Sequence, residues 1–239
     1  MGDKMMKNML NSILNRFTNG YKKISYSQCG EDIIVDFVLN SLRIEHPTYL
    51  DIGAHHPVFL NNTYLFYKKN MHGVCIEPDP DSFAKIESAR SRDICLNIGI
   101  GIDNQDLADF YILTSRSLNT FSKETAEAYV NEGNQKIERV IKVPLFSVND
   151  IIKTHLKTGP AFVSLDAEGL DLQIIQSFDF DQYRPEIFCI ETLSYSSKNQ
   201  EVKNNEIISL MERAGYLNYA DTYINTIFVD KEKWINRIV

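Results

Sequence analysis

Short, nearly uninterrupted apolar runs recur along this chain, at Thr48–Ile52, Gly73–Ile76, Ile94–Ile98, Phe162–Leu165 and Ile187–Ile190. They are too short for helices and read as strands buried on both faces. Between them the apolar residues fall at helical spacing. Ile33, Ile34, Phe37, Val38 and Leu42 predict one helix, with Ser27 as its N-cap. Further helices are predicted over Thr63–Lys69 (capped by Asn62 or Thr63), Asp81–Ala89, Lys123–Val130, Val148–His155, Leu172–Ser177 and Glu206–Ala214, the last closed by Gly215. Asp109–Leu113 and Arg139–Pro144 read as strands, and Ser115–Phe121 as a polar loop. Strands alternating with helices predict an α/β fold, a mainly parallel Rossmann-like sheet with helices on both faces. Tyr216–Tyr219 and Thr226–Val229 predict a closing hairpin, which brings the count to seven strands and adds an antiparallel strand at one edge.

No repeat or Pro/Gly-rich linker divides the chain, and 239 residues suit one domain with a full core. The predicted domain is 25–239. Before it, 1–24 predicts a helical segment whose face carries Met5, Met9, Leu10, Ile13, Leu14 and Phe17, a cap on the domain or a homodimer contact. No apolar run reaches the roughly twenty residues of a transmembrane segment, and no signal-peptide core is present. Cys29, Cys75, Cys95 and Cys189 lack metal-site or redox-pair spacing. Free thiols suit a reducing compartment, so a cytoplasmic location is expected. The net charge of -7 argues against a nucleic-acid partner.

The densest chemistry lies where strands end. Asp51-Ile52-Gly53-Ala54 closes the first strand, and Glu77-Pro78 closes the second. A glycine at the first tip lets another group approach the backbone, and an acid at the second can take both hydroxyls of a ribose. The G-x-G-x-x-G dinucleotide fingerprint is missing, so the pattern fits a nucleoside without a pyrophosphate, such as S-adenosylmethionine. The closing hairpin agrees with the methyltransferase variant of the Rossmann fold.

Asp51, Glu77, Asp166 and Glu191 stand on strand tips, the edge where open α/β sheets bind ligands. Asp166 or Glu168 can act as general base on a substrate hydroxyl. Alternatively, Asp166, Glu168 and Glu191 can hold Mg²⁺ or Mn²⁺, which would lower the hydroxyl pKa. His55 or His56 is a further candidate base, with one of the pair facing the site. Arg116 and Lys123 can meet a phosphate.

Four elements in order resemble the FkbM-type S-adenosylmethionine-dependent methyltransferases. They are Tyr26-Ser27-Gln28-Cys29-Gly30-Glu31-Asp32, Asp51-Ile52-Gly53-Ala54-His55-His56-Pro57 with Asn62-Thr63-Tyr64, Gly73 to Pro80, and Asp166-Ala167-Glu168-Gly169-Leu170-Asp171. The resemblance spans about residues 25–230. It implies a class I methyltransferase fold and methyl transfer to a hydroxyl; known members act on macrolides and on sugars of surface polysaccharides. It also implies that Asp51, Gly53 and Ala54 line the methionine part of the cofactor. Glu77, with Pro78, would hold the ribose, and Ser27, Gln28 and Glu31 would close over the same end. Pro57 departs from the glycine of many members, so the loop carrying His55 and His56 takes its own course.

The function expected is therefore O-methylation of a sugar, nucleotide-linked or within a bacterial surface polysaccharide such as a capsule. Two alternatives stay open: a non-catalytic scaffold of glycan synthesis, and a nucleotide-sugar oxidoreductase or epimerase. The second lacks the glycine fingerprint and a Tyr-x-x-x-Lys pair beside a strand tip.

Overall fold

A computed structural model describes residues 22–103, 105–132, 135–167, 169–194 and 202–238. The predicted N-terminal helix, and Glu168, lie outside the described residues. Among the described residues, the main sheet has seven strands: β1 (Tyr49–Ile52), β2 (Gly73–Ile76), β3 (Ile94–Leu96), β7 (Phe162–Leu165), β8 (Ile187–Glu191), β11 (Tyr216–Asp221) and β12 (Asn225–Asp230). Their order is β11-β12-β8-β7-β1-β2-β3. β3, β2, β1, β7 and β8 run parallel to one another, and β12 is antiparallel to both β8 and β11. This is the class I methyltransferase topology. The reversed strand is not at the edge as the sequence suggested, but one place in. Ile227, Phe228 and Val229 are fully buried, and only an interior strand covers both of their faces.

Strand residues alternate between two apolar layers. Leu50, Ile52, Val74, Ile76, Phe188 and Ile190 pack on α5 (Val148–Ile151, continued by a π-helical turn over Ile152–Leu156), α6 (Asp171–Ser177) and α7 (Asn205–Arg213). Tyr49, Cys75, Phe162, Cys189, Ile227 and Val229 pack on α1 (Glu31–Ser41), α2 (Tyr64–Lys68) and α3 (Pro80–Ala89). Cys75, Cys95 and Cys189 are strand residues with free thiols, and Cys29 is an exposed one.

Local details depart from expectation for identifiable reasons. Gly30, not Ser27, holds the N-cap position of α1, in the left-handed region at φ 94°. The Ser27 hydroxyl still takes a first-turn amide, accepting from Asp32 N–H at 3.3 Å while donating to buried Asp32 Oδ1 at 2.9 Å. Thr63 holds the N-cap position of α2, one of the two predicted, but its side chain makes no capping bond; Asn61 Oδ1 accepts from the Thr63 and Tyr64 amides at 3.0 and 2.7 Å instead. Gly215, at φ 87°, ends α7 as predicted.

Between β3 and α5 the chain builds an insertion. It contains β4 (Gly99–Ile100), β5 (Leu107–Leu113), α4 (Lys123–Glu132) and β6 (Ile137–Phe146), in the sheet order β4-β6-β5. Phe110, Ile112 and Val143 form its own small core. No helix among the described residues is long and apolar enough to cross a membrane.

Candidate active site

The carboxyl ends of β1, β2, β7 and β8, together with the insertion, enclose a cavity of about 260 Å³. Gln28, Gly53, His55, Glu77, Pro78, Asp166 and Glu191 line it, so seven predicted site residues share one space. Ser27, Glu31, Asp51, Ala54 and His56 are not among its lining residues.

Glu77 is 6 % exposed at the tip of β2. Its Oε2 accepts from the His55 amide at 2.7 Å, and its Oε1 from the Asp79 amide at 2.8 Å. Two backbone donors thus fix the carboxylate and leave lone pairs for a diol. Burial pushes its pKa up to about 7, against those two hydrogen bonds.

Gly53 has a role that the sequence only half reveals. Its φ is 80°, and a Cβ placed there would lie 1.8 Å from the Asp166 carbonyl oxygen. The close neighbour that demands a glycine is therefore β7 of this same chain. Tucking β7 against the first loop is what brings Asp166 beside Gly53 in the cavity wall.

Asp51 sits one strand position away from the cavity and points into the helical layer. Its Oδ2 accepts from Thr63 Oγ1 at 2.6 Å and Asn61 Nδ2 at 3.1 Å. Arg90, fully buried, lies 3.8 Å from it. Arg90 also donates to Asp93 Oδ2 (2.7 Å), Asn61 Oδ1 (3.1 Å), Tyr49 Oη (3.0 Å) and Thr63 Oγ1 (2.8 Å). Burial raises the Asp51 pKa and Arg90 opposes it. This network fastens the loop between β1 and α2, of which Ala54 and His55 are the start. Ala54 is 3 % exposed, and its carbonyl accepts from Asn61 Nδ2 at 3.2 Å.

The two histidines have separate jobs. His56 Nδ1 accepts from the Val58 and Phe59 amides at 3.1 and 2.9 Å, which shapes the Pro57 loop. His55 lines the cavity in a left-handed conformation, φ 50°, uncommon for a non-glycine residue. Burial, with His56 beside it, holds its imidazole below the ordinary range, which favours the uncharged form.

Glu31 is fully buried and joins two parts of the rim. It accepts from the Cys29 amide (2.8 Å), Thr222 Oγ1 (2.6 Å) and Asn225 Nδ2 (3.2 Å). Burial alone would raise its pKa, but these donors outweigh it and hold the carboxyl below the usual range. Gln28 and Ile224, one from each tied segment, line the cavity.

Asp171 closes the loop after β7. Its Oδ1 accepts from the Ala167 amide at 2.9 Å and its Oδ2 from the Gly169 amide at 3.3 Å. Burial and then the Asp166 charge push its pKa up to about 7.

Asp166 and Glu191 line the cavity, whereas Glu168 lies outside the described residues. No cluster of three His, Cys, Asp or Glu side chains able to hold a metal ion occurs among the described residues. Among the described residues the expected Mg²⁺ or Mn²⁺ site is therefore not supported.

Sequence reasoning missed the insertion's contribution. Phe110, Leu118, Asn119 and Phe121 line the cavity beside Arg116. Asp79, 1 % exposed, bonds this wall to the core. It accepts from Asn119 Nδ2 at 3.1 Å, and Arg116 and Arg139 lie at 3.8 and 3.7 Å. Arg116 is paired with Glu138 at 2.9 Å, while Lys123 pairs with Glu127 at 3.5 Å on α4. The long stretch between Ile98 and Val148 was the available signal, since a βα connection is usually short.

A family model described as methyltransferase FkbM domain matches residues 51–217. No curated protein sequence matches the chain significantly. Among solved structures, the chain is similar to a TehB-like SAM-dependent methyltransferase from Corynebacterium glutamicum, with 10% identity, TM-score 0.41, and coverage of 95% of this chain and 100% of that one. It is also similar to a putative caffeoyl-CoA O-methyltransferase from Staphylococcus aureus, with 10% identity, TM-score 0.46, and coverage of 95% and 99%. A third is the 1,6-didemethyltoxoflavin-N1-methyltransferase of Burkholderia thailandensis, with 8% identity, TM-score 0.43, and coverage of 96% and 90%.

Proposed function

We propose, for a chain that belongs to the methyltransferase FkbM family, S-adenosylmethionine-dependent O-methylation of a sugar hydroxyl. The observation that carries this reading is Glu77, a buried carboxylate held by two backbone amides on the cavity wall. Its free lone pairs suit the two hydroxyls of a ribose. Pro78 and Ile98 continue that wall, and Phe110, Leu118 and Phe121 face it from the insertion. An apolar slot beside a diol acceptor fits a nucleoside.

S-adenosylmethionine supplies, when bound, a methyl group activated by a sulfonium. The chain's own part is positioning and proton handling. Glu77 and Pro78 would hold the ribose, and Gly53 and Gln28 line the same cavity. His55 accepts the acceptor's proton in this reading, with Asp166 the alternative base. No step is assigned to a metal.

Calorimetric titration of S-adenosylhomocysteine into EDTA-treated protein tests the reading, repeated with Mg²⁺ or Mn²⁺. Micromolar binding independent of metal is expected. His55→Gln and Asp166→Asn should each keep that affinity, and the one that is the base should lose methyl transfer from labelled cofactor. Absence of binding with and without metal would remove the methyltransferase reading.

A further inference from the structure

Cys75 and Cys95 are far apart in sequence, yet the main sheet sets them side by side. β2 and β3 run parallel in register, and Cys75 pairs directly with Cys95. Paired residues of parallel strands project to the same face, and both cysteines join the same apolar layer. Neighbouring strands lie about 4.8 Å apart, inside the Cα separation that a disulfide spans. Both thiols are free.

The two sulfurs differ in access and acidity. β3 is the outer strand of the sheet; Cys95 on it is half-buried, and neighbouring Ile94 is 41% exposed. Cys75 is 1% exposed. Both sulfurs meet Asp93: Cys75 Sγ donates to its Oδ2 at 3.6 Å, and Cys95 Sγ to its carbonyl at 4.0 Å. Hydrogen bonding from the Cys75 thiol holds Cys95 below the ordinary thiol range, while the same bond, and then burial, pushes Cys75 well above it. Cys95 is therefore the thiol that ionises within reach of solvent, and Cys75 the protonated partner behind it.

The pair also lies next to the backbone that aims Glu77. The Glu77 amide donates to the Leu96 carbonyl at 3.0 Å. Asn97 Nδ2 donates to the Glu77 and Pro78 carbonyls at 2.8 and 3.0 Å. The two residues after Cys95 thus hold the tip of β2. A disulfide brings its Cβ atoms to about 3.8 Å, closer than the strand spacing. Closing one here would draw β2 and β3 together just below that tip.

We propose that Cys75 and Cys95 form a reversible disulfide in the presence of a peroxide, and that this bond weakens cofactor binding at Glu77. The Cys95 thiolate attacks the peroxide O–O bond and becomes a sulfenic acid, and the other oxygen leaves as water after taking a proton. The Cys75 sulfur then attacks the Cys95 sulfur. The S–S bond forms, the S–O bond breaks, and the hydroxyl leaves as a second water with the Cys75 proton. The two thiols lose two electrons and the peroxide gains them. A dithiol restores both thiols and is itself oxidised to a disulfide. The effect on affinity rests on the methyltransferase reading; the bond itself does not.

The test treats reduced full-length protein with hydrogen peroxide, alkylates it and maps its peptides by mass spectrometry without reductant. A cross-link between the Cys75 and Cys95 peptides is expected, undone by dithiothreitol. In Cys75→Ala, Cys95 should stop at a sulfenic acid that dimedone traps. Calorimetry should find S-adenosylhomocysteine bound about three- to tenfold more weakly by oxidised wild type, the equivalent of one distorted hydrogen bond. Peroxide-treated Cys95→Ser should bind as before treatment. Absence of the Cys75–Cys95 cross-link, or links through Cys29 alone, would overturn the proposal. So would undiminished affinity in the cross-linked protein, or an equal loss in Cys95→Ser. Failure of S-adenosylhomocysteine to bind reduced wild type would instead strike the methyltransferase reading, and the coupling with it, while the peptide map still decides the bond.

Discussion

Glu77→Gln separates a cofactor carboxylate from a structural one. Each Glu77 oxygen takes one backbone N–H, from His55 at 2.7 Å and Asp79 at 2.8 Å. A glutamine has one acceptor oxygen, so its NH₂ must face one of those donors. A hydrogen bond to a charged group contributes about 1.5–3 kcal/mol, and the substitution also removes the charge that a ribose diol would donate to. S-adenosylhomocysteine affinity should therefore fall about 10- to 100-fold at pH 8, at roughly 1.4 kcal/mol per decade. Folding should respond differently. Because burial raises the Glu77 pKa to about 7, its ionised form is a cost to the folded protein at pH 8. The variant lacks that ionisation, so its Tm relative to wild type should rise between pH 5 and pH 8. Cofactor affinity of wild type should weaken as pH falls from 8 to 6, because a proton then competes with the diol; the variant should be flat. Calorimetry across that range, with thermal melts alongside, reads both. Unchanged affinity in the variant, or an equally steep pH dependence in it, would refute the assignment.

Three other predictions use the same network. Gly53→Ala should destabilise by more than about 3 kcal/mol, or prevent folding, since its Cβ would lie 1.8 Å from the Asp166 carbonyl at a φ of 80°; urea melts check this. Arg90→Met should cost about 3–5 kcal/mol by leaving Asp93 and Asp51 buried without their cation. Arg90→Met together with Asp93→Asn should recover part of that loss in the same melts. For Asp171 the raised pKa sets the sign: its stability contribution is present below the unfolded value of 3.8 and is lost as pH rises through about 7. Asp171→Asn should therefore gain Tm relative to wild type between pH 5 and pH 8, and a constant difference would contradict the burial argument.

The element order and most core residues were legible because the strands are buried on both faces. Continuous apolar runs such as Phe162–Leu165 and Ile187–Ile190 have few other readings. Helix starts were less legible. Ser27 looks like an N-cap, yet Gly30 holds that position, and the Ser27 hydroxyl reaches the first turn from three residues back, bonding both the Asp32 amide and its carboxylate. Thr63 holds the N-cap position of α2, but the oxygen that takes the first amides comes from Asn61, a position that resembles any other loop residue.

By itself the sequence determined the α/β class, the strand-tip acids and the family. Gly53, His55, Glu77, Pro78, Asp166 and Glu191 could be named because ligands bind at the carboxyl ends of parallel strands, and Gln28 through the family resemblance. Only the tertiary structure decided which acids face the cavity. Side chains alternate along a strand, so Asp51 at the penultimate position of β1 turns into the helical layer towards Arg90, while Glu77, just past the end of β2, stays at the cavity. Partners distant in sequence fixed the rest: the Asp166 carbonyl that demands Gly53, Thr222 on Glu31, and Asn119 on Asp79. These contacts follow from the fold's closure, and no local pattern of residues encodes them.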